Sequence, residues 1–166
     1  MPQTHAPAKN ILRRIADNWP ELSTRVRPSI IYLYRARDLL LEDAEAALKP
    51  HGLRVSDLDV LGALRTQPRP RQLTPTALYQ QLLLSSGGLT KILHRLEAAG
   101  LIDRPANPED GRSKLVRLTR QGERLLDKAI DPVLENEARR MSALSKTEQK
   151  ELGRLLGKLL DNWEPD

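Results

Sequence analysis

Cysteine and phenylalanine are both absent from this chain of 166 residues, and aromatic residues make up only 3% of it. Without cysteine there is no disulfide framework, no thiolate metal site and no thiol-based redox sensor. Without phenylalanine, a core has to be built from Leu, Ile, Val and Ala. That composition suits packed helices, because Leu and Ala are good helix formers and β-branched residues are sparse. The three histidines, His5, His51 and His94, show no His-x3-His or similar pairing, so neither a metal nor another cofactor is expected. No apolar run approaches the roughly 20 residues that span a bilayer. Residues 1–10 lack the apolar stretch of a signal peptide. A cytoplasmic location is therefore expected. Enzyme signatures are missing too: there is no Ser/His/Asp spacing and no paired-carboxylate pattern, and Gly87-Gly88 is not followed by the Lys-Ser/Thr of a phosphate-binding loop.

What is present is an uneven charge. The net charge is +5, yet residues 1–64 carry 9 Lys/Arg against 8 Asp/Glu, and residues 121–166 carry 8 against 10. Residues 65–120 carry 10 against 4. A basic segment between near-neutral flanks is the electrostatic footprint of a module that binds a polyanion. A solvated basic face is the plainer alternative on charge alone.

The chain divides into three parts. In residues 1–52 a short helix is expected near 11–19, ended by Pro20, and a long amphipathic helix near 28–49, opened by Pro28 and stopped by Pro50-His51-Gly52. In residues 53–120, Ser56 or Asp57 is the expected cap of a helix near 57–66, and Gln67–Arg71 is a basic loop. Thr74-Pro75 starts a helix to about Leu82, and a second helix runs from Ser85 or Ser86 to Ala99, ended by Gly100. Two β-like runs, 101–104 and 114–118, flank a turn-rich stretch with Asp110-Gly111 as its expected centre. In residues 121–166, Thr119 caps a helix that Pro132 is expected to kink. Ser145 with Glu148 forms a capping box ahead of a stripe of Leu152, Leu155, Leu156, Leu159 and Leu160.

Two helices joined tightly and followed at once by a polar-tipped hairpin make a winged helix-turn-helix. Leu89, Leu93 and Leu96 lie on one side of its second helix, where they can pack against Leu78 and Leu82. The opposite face offers Ser86, Gly87, Thr90, Lys91, His94 and Arg95, short or basic residues that let a backbone approach a groove while donors reach bases and phosphates. Gly87-Gly88 would cost a plain helix roughly 1 kcal/mol each relative to Ala. Arg112 at the wing tip suits a narrow, negative minor groove, with Lys114 beside it. Asp110 would oppose DNA unless paired, and Arg95 is its candidate partner. The expected fold is mainly α with a small β-hairpin wing: the winged helix-turn-helix domain plus N- and C-terminal helical regions. The apolar stripes of those end segments lack a partner within the basic domain, and a two-fold pairing of chains would bury them. The DNA-binding candidates are Ser86, Gly87, Thr90, Lys91, His94, Arg95, Arg112 and Lys114.

The run of residues 73–122 resembles the MarR (multiple antibiotic resistance regulator) family. The resemblance rests on Ser85-Ser86-Gly87, Thr90, Arg95-Leu96-Glu97, Gly100-Leu101-Ile102, Arg104, Asp110-Gly111-Arg112, Val116, Leu118-Thr119 and Gly122, in order, and the flanking helices extend it over nearly the whole chain. It implies a homodimer held by the terminal helices, a pseudo-palindromic double-stranded DNA operator, and repression relieved by a small phenolic or anionic ligand. Tyr79 and Leu83 depart from the smaller residues usual there. The N-terminal helix with Trp19, together with Asp59 and Arg104, is also similar to the urate-responsive, PecS-like subgroup, in which four residues sense the ligand. The fourth, an arginine in the recognition helix, is Ile92 here. This resemblance implies a ligand site formed by Trp19, Asp59 and Arg104 and a purine such as urate as effector. On their own, Trp19 suits a cover over a helix junction, Asp59 a first-turn acid and Arg104 a phosphate contact. Two other classes compete: an architectural DNA-binding protein with no effector, and a winged helix used only for protein contacts, which the basic excess disfavours.

Overall fold

A computed structural model describes residues 6–82 and 88–164. The chain falls into two compact units, Met1–Asp43 and Ala44–Asp166. The first unit holds α1 (Ala8–Asn18), α2 (Pro20–Ser23) and the larger part of α3 (Pro28–Leu48). Pro20 both stops α1 and opens α2, at the first helical position where its missing N–H costs nothing. None of the described residues of α1 or α2 is buried.

The second unit is built around an aliphatic core, as a chain without phenylalanine requires. The end of α3 (Ala44, Leu48) joins α4 (Val55–Arg65), α5 (Pro75–Gln80), α6 (Leu89–Ala98) and the first half of α7 (Arg120–Met141) in burying one Leu-rich cluster. Its centre is Leu48, Val60, Leu61, Leu64, Leu78 and Leu96, with Ile102 and Val116 from the strands. A three-stranded antiparallel sheet, in the order β1 (Gln72–Leu73), β5 (Val116–Leu118), β2 (Ile102–Asp103), closes one side. The registers are Leu73 opposite Val116 and Ile102 opposite Leu118. β1 was not legible in the sequence, because two residues in a basic loop carry no alternation. A separate hairpin, β3 (Ala106–Asn107) with β4 (Asp110–Lys114), forms the wing. Its turn centre is Pro108-Glu109, since Asn107 faces Asp110 in the register. The expected centre at Asp110-Gly111 is displaced because the Asn107 side chain accepts the Glu109 N–H at 3.1 Å, building the turn itself.

Three helix starts follow their caps. Thr74 accepts from Ala77 N–H, Thr119 from Gly122 N–H, and Ser145 with Glu148 forms the reciprocal box that opens α8 (Lys146–Leu160). α4 differs from expectation. Its N-cap is Arg54, and Asp57 stands at the third helical position, reaching back to accept the Arg54 N–H at 2.9 Å. α7 continues through Pro132 to Met141.

Candidate nucleic-acid interface

α6 has two faces of opposite character. Leu93 and Leu96 are buried in the core with Leu78, and Leu82 and Leu89 pack at its edge, as the leucine spacing requires. Thr90, Lys91 and His94 point outward and are exposed. Ser86 and Gly87 lie outside the described residues. Gly88 is the N-cap of α6 in an extended conformation, and a Cβ there would meet nothing within 4 Å. Space inside the protein therefore does not explain this glycine.

The wing stands beside α6. Lys114, at the end of β4, is exposed, and together with Arg104 it lines a groove of about 290 Å³ whose other wall is Pro75, Thr90, His94 and Glu97. Arg104 is fixed by its Nε, which donates to the Leu115 carbonyl at 3.1 Å. The neighbouring arginine of the sheet, Arg117, makes a two-pronged bond to Asp103 at 2.9 and 2.6 Å. That carboxylate raises the Arg117 pKa above its ordinary value, and the pair ties β5 to β2.

Arg95 behaves differently from the sequence expectation. Its Nη2 donates to Asp57 Oδ1 in the first turn of α4, and the anticipated pairing with Asp110 is replaced by this bond. Asp57 is only 1% exposed, whereas the Arg95 side chain keeps 38% of its surface. A buried carboxylate requires a partner, and a cation three residues beyond Ile92 on α6 is within its reach. The sequence carried the signal in part: Asp57 was legible as a helix-start acid, but its second bond joins residues 38 apart in the chain.

Three residues are expected to sense a ligand: Trp19, Asp59 and Arg104. Trp19 is 57% exposed between α1 and α2, where it lines a shallow depression with Ile11, Arg14, Ile15 and Asn18. Asp59 is half-buried on α4.

A helix with a buried leucine back and an exposed polar front, preceded by a short helix and followed by a β-hairpin wing, defines the winged helix-turn-helix class of DNA-binding transcription regulators. Comparison with known proteins agrees. Residues 51–113 match the MarR family. The chain is 28% identical over 152 residues to the HTH-type transcriptional regulator PecS of Dickeya dadantii, covering 90% of each. It is 32% identical over 127 residues to the HTH-type transcriptional repressor Mb2911 of Mycobacterium bovis, covering 76% of this chain and 89% of that one. Among solved structures it resembles CouR from Rhodococcus jostii, bound to p-coumaroyl-CoA, with a TM-score of 0.68 at 26% identity, covering 82% of this chain and 92% of that one. The chain belongs to the MarR family of transcriptional regulators. Among the described residues no helix is long and apolar enough to cross a membrane.

Proposed function

We propose that this protein is a ligand-responsive transcriptional repressor. It binds a pseudo-palindromic double-stranded operator as a homodimer and is released by a small phenolic or anionic ligand. The observation that carries this reading is the front of α6: Thr90, Lys91 and His94 are exposed in a row on a helix whose back is locked by Leu93 and Leu96. A rigid back fixes the reach of the front, which is what reading base edges in a major groove requires. Ser86, Gly87, Thr90, Lys91 and His94 contact the groove and its phosphates, while Lys114 and Arg112 serve the wing. Arg95 acts chiefly through its bond to Asp57, by holding the helix in place.

Two features support the dimer. α8 has no buried residue although it is leucine-rich, and Leu155, Leu160 and Trp163 beyond it are exposed. In the first unit, Tyr32, Tyr34 and Leu40 of α3 are exposed as well. Pairing two chains through such faces sets two recognition helices about 34 Å apart, one DNA turn. The ligand reading rests on Arg104, which lines a groove beside α6 with Lys114 and so offers two cations to an anionic ring. A ligand there changes DNA affinity only if it binds one arrangement of helix and wing better than the other.

A gel-shift on the gene's own upstream region, with and without salicylate, urate and xanthine, tests the proposal. Retardation of that fragment over a scrambled one, reversed by one of these ligands, is expected. Equal retardation of both fragments and no release would leave an architectural DNA-binding protein instead. In a Trp163→Phe variant, Trp19 is the remaining tryptophan, and its fluorescence reports whether the ligand binds near it.

A further inference from the structure

The basic loop between α4 and β1 builds a second cationic site at the opposite end of α4 from the recognition helix. Arg71 adopts φ of 61°, in the left-handed region that residues other than glycine rarely occupy. In this conformation its N–H donates to the Pro68 carbonyl at 2.7 Å, and its guanidinium contacts Oε1 of Glu123 in the first turn of α7. The same oxygen lies 3.8 Å from both Arg65 and Arg69, and Arg65 Nε donates to Asp127 at 3.2 Å. Arg71 already holds Glu123 closely, so Arg69 is only loosely engaged and its side chain stays 74% exposed. Opposite stand Arg120 and Arg124, exposed and one helical turn apart on α7. Neither has an ion pair or side-chain hydrogen bond to any described residue. Arg69, Arg120 and Arg124 wall a concavity of about 300 Å³ with Glu123 and Asp127. Counting Arg65 and Arg71, five arginines meet two carboxylates, and the site keeps a surplus of positive charge.

This surplus is not part of the α6 face. The first turn of α4 holds α6 through Asp57, whereas Arg65 is in its last turn, about 12 Å along the axis. β5 likewise leads away from the wing, with Lys114 before it and Arg120 after it. Guanidinium groups are well matched to phosphate oxygens, which they can grip in two-pronged fashion. We propose that this pocket binds a small polyanion carrying a pyrophosphate or phosphate-ester group, taken up by Arg120 and Arg124 on α7 and by Arg69 swinging from Glu123. Bound there, the anion would tie the start of α7 to the α4–β1 loop.

Inorganic pyrophosphate is the probe. Its binding is measured by titration calorimetry and by the melting temperature, with ionic strength held constant by NaCl. The wild-type chain is expected to give saturable heat and a higher melting temperature. The R120A/R124A variant is expected to bind pyrophosphate at least tenfold more weakly, and R69A severalfold more weakly. Both are expected to melt as wild type without ligand and to keep wild-type affinity for duplex DNA. Absence of saturable binding would overturn the proposal, as would equal binding by the variants. A parallel loss of DNA affinity in R120A/R124A would also overturn it, since the cations would then serve the DNA backbone. The pyrophosphate titration needs no operator, so its outcome is separable from that of the repressor reading.

Discussion

Asp57 and Arg95 join the start of α4 to the last turn of the recognition helix through a carboxylate that is almost wholly buried. One carboxylate oxygen takes the guanidinium and the other takes the Arg54 N–H, so the residue caps one helix while fixing another. Removing Arg95 leaves the buried charge uncompensated. Breaking a fully buried pair costs about 3–5 kcal/mol, and because Arg95 is partly exposed to water a smaller loss, about 2 kcal/mol, is expected for R95A. D57N keeps an acceptor but loses the charge, and is expected to destabilise less while still weakening DNA binding by loosening α6. Urea unfolding and fluorescence anisotropy with labelled duplex measure the two effects. If D57A and R95A changed neither, the pair would have no positioning role.

Gly122 is fixed by close approach. A Cβ there would lie 2.1 Å from the Leu101 carbonyl oxygen and 2.9 Å from Leu118 Cδ1. The carbonyl is backbone between α6 and β2, so it cannot yield cheaply. G122A is expected to cost about 3 kcal/mol, at the upper end of overpacking. A thermal melt within a degree of wild type would contradict this packing.

Glu123 gives the fold an acid-sensitive contact. The hydrogen bond from Arg71 lowers its pKa below the ordinary 4.5, with Arg65 and Arg69 adding smaller effects. A carboxylate depressed in the folded state stabilises it above the ordinary pKa, and this is lost as pH falls through the depressed value. E123Q is therefore expected to be less stable than wild type at pH 7, with the difference shrinking as pH drops below 4.5. Urea midpoints at pH 7 and pH 3.5 read the change. A constant difference would show that charge at Glu123 is irrelevant.

Much of this was legible in the sequence, and the failures share a cause. The caps at Thr74, Thr119 and Ser145 and the leucine face of α6 are local patterns, and each formed as read. The ion-pair partner of Arg95 was misassigned because a charge on an exposed-looking face says nothing about a carboxylate 38 residues earlier. The arginine pocket was invisible for the same reason, since Arg69 and Arg120 meet only when β1 pairs with β5. The wing turn shifted because Asn107 makes a side-chain turn that competes with Asp110-Gly111.

On the DNA face, K91A is expected to weaken binding nearly uniformly across sequences and to reduce the slope of log K against log salt by about 1. Unequal losses across sequences would instead make Lys91 a base reader. Arg112→Ala is expected to weaken binding through the minor groove, most on A·T-rich flanks.

Sequence-selective DNA binding is the property on which the repressor role depends, and a competition gel-shift on the gene's own upstream region at physiological salt measures it. A retarded complex is expected that scrambled competitor DNA displaces only at about 10³-fold or greater excess, the lower bound for specific over non-specific binding. Displacement by equal amounts of specific and scrambled competitor, or no complex at all, would contradict it.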